Sequence, residues 1–251
     1  ALVSIQGIES VNCYDLSGQP VTLSFWAKRG ANYSGGNLTV ALITGTTADQ
    51  GIAGVDSWPG RATPISTTTA ITTTWARYTF TGTVGSGVLE AAVQLLWFPS
   101  GTAGADDSVY ITGVQLEVGT AATPFERRQF EQELTLCQRY YEKSYAVSTV
   151  PGTNTAAGLV GGTAFYSNVR VIPSSNTFRV TKRGAPTLSY WDRAGNSTRF
   201  SSYTAGAWTD NVAPGTGAGG LALGENNFLM YPGVGYTQDT ALFHFTAASE
   251  L

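Results

Sequence analysis

From Ala1 to about residue 120 the apolar residues fall in short runs that alternate with polar ones and end at glycine-bearing turns. Such a pattern leaves little room for anything but antiparallel strands. The clearest run is Val21-Thr22-Leu23-Ser24-Phe25-Trp26-Ala27-Lys28. Its period of two puts Val21, Leu23, Phe25 and Ala27 on one face and Thr22, Ser24, Trp26 and Lys28 on the other. Arg29-Gly30 and Ser34-Gly35-Gly36 supply turn residues before the next strand, Asn37–Ile43. Further strands are expected at Trp75–Thr81, Leu89–Trp97 and Ser108–Glu117, and the opening residues Ala1–Gln6 alternate in the same way. Between Trp58 and Thr74 a Thr-rich, Pro-containing connection is expected. Strands this short and evenly spaced predict a β-sandwich over residues 1–120.

The period changes at Ala121-Ala122-Thr123-Pro124. Charges then gather from Glu126 to Lys143, and Phe130, Leu134, Cys137 and Tyr141 follow one another at helical spacing. An amphipathic helix of about four turns is expected there, with Glu126, Glu131 and Glu133 near its start and Arg139 and Lys143 near its end, as the helix dipole favours. Residues 121–145 thus read as a linker and helix. From 146 to 251 the composition returns to Gly, Thr, Ser and aromatics, predicting a second β domain. Its expected strands are Thr163–Val171, Asn176–Lys182, Thr187–Asp192 and Thr240–Ala247, with a long Gly- and Asn-rich loop from Trp208 to Met230.

Charged residues make up only 12% of the 251, with 14 Lys and Arg against 17 Asp and Glu. A net charge of −3 supplies no basic field for nucleic acid or an anionic membrane. No apolar run approaches the roughly 20 residues of a spanning helix. The chain lacks an initiator Met and a basic leader region, so it reads as a fragment or a trimmed chain. One His, two Cys and one Met leave few ways to build a His/Cys metal site or a His-based catalytic centre. Cys13 and Cys137 have a bridge as one alternative, but two thiols in 251 residues make no disulfide framework, and free structural thiols are the expectation.

Several motifs invite a chemical reading that their context does not support. Gly215, Gly217 and Gly220 imitate a dinucleotide fingerprint, but Pro214 precedes them and no helical stretch follows. Asn32, Asn37 and Asn196 head glycosylation sequons that ordinary turn composition explains. Asp106 and Asp107 have the oxygen chemistry for Ca²⁺, although adjacent acids in a Gly-containing loop are more often turn residues. His244, within Leu242-Phe243-His244-Phe245, is expected to be a structural residue on a sheet face. Glu90, Asp106, Asp107, Glu225 and Asp239 are available for glycoside cleavage, but no motif selects a pair of them. The expectation is no enzymatic activity and no cofactor.

The stretch Gly113–Arg128, GVQLEVGTAATPFERR, runs on into Glu133–Lys143, ELTLCQRYYEK. It resembles a junction found in tailed-bacteriophage tail fibre and minor tail proteins, where a carbohydrate-binding-module-like jelly roll passes into a C-terminal domain. The LSFWAK, WARYTFT and YITGVQLEVG strands match that jelly roll in order. Arg179–Leu188 and Phe243–Leu251 resemble the C-terminal domain of the same proteins. In those relatives further β sequence precedes the position of Ala1, so additional strands are expected upstream.

The resemblance implies a homotrimeric virion appendage that contacts host surface polysaccharide, lipopolysaccharide or capsule, alongside other tail proteins. In such a trimer Phe130, Leu134, Cys137 and Tyr141 would face the threefold axis, the alternative being that the helix lies on its own sandwich. The alternatives are a polysaccharide-degrading tailspike fragment and a binding module of a secreted glycosidase.

Sugar recognition uses flat aromatic faces with amide and carboxylate partners for the hydroxyls. Trp191, Asp192, Tyr203 and Trp208, on loops of the second domain, are the expected contacts, with Trp58 as a candidate in the first. Trp97 at a strand end and Trp26 beside Lys28 also qualify, although Trp26 and Trp75 are expected to pack within the sandwich.

Overall fold

The computed structural model describes residues 2–101, 105–163, 174–215, 219–221, 223–233 and 240–249. It is mostly β, with antiparallel sheets. The chain divides into two compact units between Arg127 and Arg128.

The first unit contains β1 (Leu2–Ile8), β2 (Pro20–Arg29), β3 (Leu38–Gly45), β4 (Ala62–Thr69), β5 (Ala76–Thr83), β6 (Glu90–Trp97) and β7 (Val109–Val118). They form two sheets, β1-β6-β3-β4 and β5-β2-β7, in a sandwich-like arrangement. Alternation accounts for the core between them. Val21, Leu23, Phe25 and Ala27 of β2 meet Leu38, Val40 and Leu42 of β3, Ile65 of β4, and Ala91, Val93 and Leu95 of β6. Strand β4 lies inside the stretch expected to be a connection. Its run of threonines pairs with Leu38–Val40, because β-branched side chains suit an edge strand despite the proline. Strand β3 is buried along most of its length. Ala41 and Ile43 face away from the main core into a second cluster with Val55, Trp58 and Ala92, covered by the 3-10 segment Ile52–Ser57.

The second unit begins with α1 (Phe130–Gln138). The helix expected to run to Lys143 stops at Gln138, and Tyr141 lies instead on β8 (Tyr141–Lys143). The physical reason is tertiary. The Gln138 carbonyl accepts the Lys182 ammonium, the Arg139 carbonyl accepts the Arg183 N–H, and Tyr141–Lys143 pairs with Thr246–Ala248. These partners displace the next helical turn.

Then come β9 (Val160–Thr163), β10 (Ser174–Thr177), β11 (Thr187–Trp191), β12 (Phe200–Thr204), β13 (Ala207–Val212), β14 (Gly219–Leu221), β15 (Asn227–Tyr231) and β16 (Thr240–Ala248). Strand β16 organises the unit. Its first half pairs with β9 and contacts β12, and its second half pairs with β8 and β11. Strands β10, β15 and β14 form a separate sheet. Phe178, Phe200, Phe228, Met230, Phe243 and Phe245 fill the core.

The stretch expected as one long loop from Trp208 to Met230 therefore holds β14 and most of β13 and β15. Gly219–Leu221 pairs with Leu229–Tyr231, so a strand stands where a dinucleotide fold would need a helix. The expected strand Thr163–Val171 lies largely outside the described residues, as do Gly217 and Asp239. Among the described residues no helix is long and apolar enough to cross a membrane.

Candidate functional site

Strands β12 and β13 form a hairpin whose turn residues, Ala205 at φ 52° and Gly206 at φ 83°, both lie in the left-handed region. Two-residue hairpin turns of the primed type have this requirement. The tight turn brings Tyr203 directly opposite Trp208, with ring centroids 4.8 Å apart. Both rings are open to solvent, Tyr203 at 46% and Trp208 at 38%. The Arg193 guanidinium lies 5.0 Å from the Trp208 ring centroid and is held by both carboxylate oxygens of Asp210. Ser201 also donates to Asp210, at 2.7 Å. Two rings and a fixed guanidinium thus converge on one hairpin, and the sequence pointed to the rings and to the guanidinium of the Tyr190–Asn196 stretch but not to Asp210, which holds it.

Trp191 and Asp192 do other work. Trp191 is half-buried, with its ring edge-on to Tyr145 at 6.4 Å. Asp192 is expected to take sugar hydroxyls, but it is fully buried. Its oxygens accept from the Asn196 N–H at 2.7 Å, the Asn196 amide at 2.8 Å and the Asn211 N–H at 2.6 Å. It organises the 192–196 turn and has no face for a ligand.

Trp58 requires the same correction. Expected in an open loop, it is 5% exposed, packed under the 3-10 segment with its indole N–H donating to the Gly51 carbonyl at 3.2 Å. The opposite correction applies to Trp26 and Trp75. Expected to pack the sandwich, they are 41% and 45% exposed. Their parity carried the signal. Tyr78 and Phe80 pack against the core, so Trp75 shares the outward parity of Arg77, and Trp26 shares that of Lys28.

The acidic residues are occupied. Asp106 accepts from the Ala31 N–H at 2.9 Å and the Tyr110 hydroxyl at 3.2 Å. Asp107 accepts from the Ser34 N–H and hydroxyl at 2.7 and 2.6 Å and from the Gly101 N–H at 3.0 Å. These donors hold both carboxyls below the ordinary range, the Ala31 N–H leading for Asp106 and the Ser34 hydroxyl for Asp107. A pair ringed by N–H and O–H donors is a loop anchor. Glu90 is buried, and burial raises its pKa against the pull of the Gln50 N–H at 2.7 Å. Glu225 is exposed. Among the described residues no group of three or more His, Cys, Asp and Glu is arranged to hold a metal.

His244 is fully buried and stacked on Tyr145 at 3.9 Å. Its Nε2 lies 2.9 Å from the Thr155 carbonyl, and its Nδ1 lies 3.1 Å from the Ser144 hydroxyl. The carbonyl can only accept, so Nε2 carries the hydrogen and Ser144 donates to Nδ1. Ser144 in turn accepts from the Phe245 N–H at 3.0 Å. A serine bonded to histidine suggests a nucleophile, but here the oxygen is committed and the pair is sealed inside the unit.

Each unit also holds a hollow lined by described residues. A cleft of about 360 Å³ in the first unit is lined by Ile8, Val93, Leu95, Val114 and Leu116 with Ser4 and Gln6, an aliphatic surface without a ring plane or charge. In the second unit a groove of about 240 Å³ is lined by Leu134, Cys137, Tyr141 and Val147, among others. Tyr141 therefore meets Leu134 and Cys137 in one groove although it is off the helix. No residue of α1 is buried, and Phe130 is 64% exposed. Compared with protein-family models and with curated proteins, the chain matches none.

Proposed function

We propose that the chain is a receptor-binding module of a tailed-bacteriophage tail fibre, with a jelly-roll first unit, that adheres to host surface polysaccharide without cleaving it. The observation that carries this reading is the Tyr203–Trp208 hairpin with Arg193 over the indole. Open rings on a rigid hairpin suit the C–H faces of sugars, and the Arg193 guanidinium lies alongside to bond hydroxyls. The test is binding to a panel of bacterial lipopolysaccharides and capsules. Trp208→Ala and Tyr203→Ala proteins that remain folded should each lose about tenfold in affinity, a figure that avidity enlarges. Release of reducing ends by the unmodified protein would favour the depolymerase alternative instead.

The same reading makes the protein a homotrimer with α1 against the threefold axis. Its support is the unburied helix, with Phe130 and Cys137 exposed and Leu134 and Tyr141 flanking the groove. Three such faces can cover one another, which one alone cannot do. Light scattering should give a trimer that Leu134→Asp dissociates, and a monomer in the unmodified protein would overturn it.

A further inference from the structure

The outer face of the β5-β2-β7 sheet divides into a covered half and an open half. Segment 121–126 lies over the covered half. Thr123 donates its N–H and hydroxyl to Glu117 at 2.9 and 2.7 Å, Gln115 donates to Thr123 at 3.0 Å, and Arg77 reaches the Thr123 carbonyl. The Glu126 N–H returns to Gln115 at 2.9 Å. A bulge at Gly113, φ +58°, lies where Trp26 and Phe125 flank the strand. A Cβ there would stand 3.5 Å from Trp26 and 3.6 Å from the Phe125 ring.

Across the open half the register sets out a row. Lys28 of β2 pairs with Tyr110 of β7, and Trp75 stands just before Ala76, the partner of Ala27. The Lys28 ammonium lies 5.5 Å from the Trp75 centroid and 4.9 Å from that of Tyr110. Trp26, paired with Arg77 and Thr112, forms the next row. All three rings are exposed. Lys28 makes no hydrogen bond or ion pair among the described residues, so its three donors are open.

We infer that the Trp75–Lys28–Tyr110 row, with Trp26 beside it, is a second saccharide-binding face, selective for chains that carry carboxylate groups. Strands lie about 4.8 Å apart, so the two outer rings are separated by roughly 10 Å, with the cation between them. That spacing lets successive sugar rings stack while a carboxylate on either meets the ammonium. A protein partner fits less well, because interface cores exclude charge and this row is centred on one. The Asp106 carboxylate, near enough to Lys28 to feel its charge, is already bonded to Ala31 and Tyr110 and orients the Tyr110 ring. This inference rests on the glycan-adhesin reading but assigns a different unit and a specific sugar chemistry.

The experiment is calorimetric titration of the full chain with oligogalacturonate and with its carboxyl-reduced form. Binding of the acidic oligomer should fall about tenfold in Trp75→Ala and in Lys28→Met, the latter keeping the aliphatic stem between the rings, and Tyr110→Phe should retain it. The carboxyl-reduced form should bind the unmodified protein no better than it binds Lys28→Met. Equal binding of both forms, or no effect of Lys28→Met, overturns the inference. Trp208→Ala, in the other unit, separates the two readings. If polysaccharide binding depends on Trp208 while oligogalacturonate is not bound, this inference fails alone. If oligogalacturonate binds through Lys28 while no bacterial polysaccharide is bound, the adhesin reading fails alone.

Discussion

Lys182 and Glu142 form an ion pair at 2.6 Å with both side chains almost wholly removed from water. The carboxylate also receives the Arg179 N–H on both oxygens at 3.1 Å, and the ammonium lies 4.9 Å from the Phe178 ring. Because Lys182 also caps the Gln138 carbonyl, this pair sets where α1 ends and where β8 begins.

Removing one partner leaves the other charge stranded, so Lys182→Met should cost about 3–5 kcal/mol. Adding Glu142→Gln should recover part of that, because the amide oxygen still accepts from Arg179 without carrying a charge. Denaturant titration of the two variants checks both statements. A loss below ~0.5 kcal/mol for Lys182→Met would show that the pair contributes nothing.

His244 makes the second unit acid-sensitive. Burial lowers its pKa below the ordinary 6.5, against the opposing effects of the Thr155 carbonyl and the Asp192 charge. The unfolded chain therefore takes up the proton before the folded one does. The contribution is fully present above pH 6.5 and declines as the pH falls from there through the folded-state value. His244→Gln should flatten the stability profile of the unit across that window. Thermal melts between pH 7.5 and 4.5 measure it.

Where apolar alternation is local, the sequence was readable. Val21, Leu23, Phe25 and Ala27 are inward because every second residue is apolar, and Val109 and Ile111 of β7 follow the same rule. Long-range satisfaction was hidden. Glu142 reads as one more charge on a solvated helix face until Lys182, forty positions on, buries it. The same holds for Asp192, an apparent ligand among aromatics whose donors at Asn196 and Asn211 come from the returning chain. Strands β12 to β15 are only three to six residues long and carry no sustained apolar alternation, so their pairing depends on partners and not on pattern. Tyr203 and Trp208 were legible as open aromatics. Their apposition was not, since it needs the hairpin turn at Ala205-Gly206.

That turn suggests a stabilising change. Ala205 holds φ 52°, which costs an alanine about 1 kcal/mol relative to residues that tolerate the left-handed region. Ala205→Asn creates Asn-Gly, the preferred pair for such a turn. It should raise the melting temperature of the second unit and leave the Tyr203–Trp208 platform intact, so glycan affinity should not fall. A lower melting temperature would mean that the turn is held by its surroundings and not by its own residues.

The two cysteines, both free, offer a chemical test of the trimer. Cys13 is buried in the first unit with its thiol 3.5 Å from the Ile8 carbonyl. Burial is the main cause that pushes its pKa up to about 11, with Glu90 and Asp49 adding to the effect against the Ala91 backbone. A thiol so protonated should not react with an aromatic disulfide reagent in the native protein, because the thiolate is the nucleophile. Cys137 is exposed in the isolated chain and lines the groove with Leu134 and Tyr141. If three copies bury that groove, Cys137 should react slowly in the unmodified protein and rapidly in Leu134→Asp. Full denaturation should release two thiols per chain in both. Rapid reaction of one thiol in the unmodified protein, at the rate seen in Leu134→Asp, would place the helix face in solvent and remove it from the trimer axis.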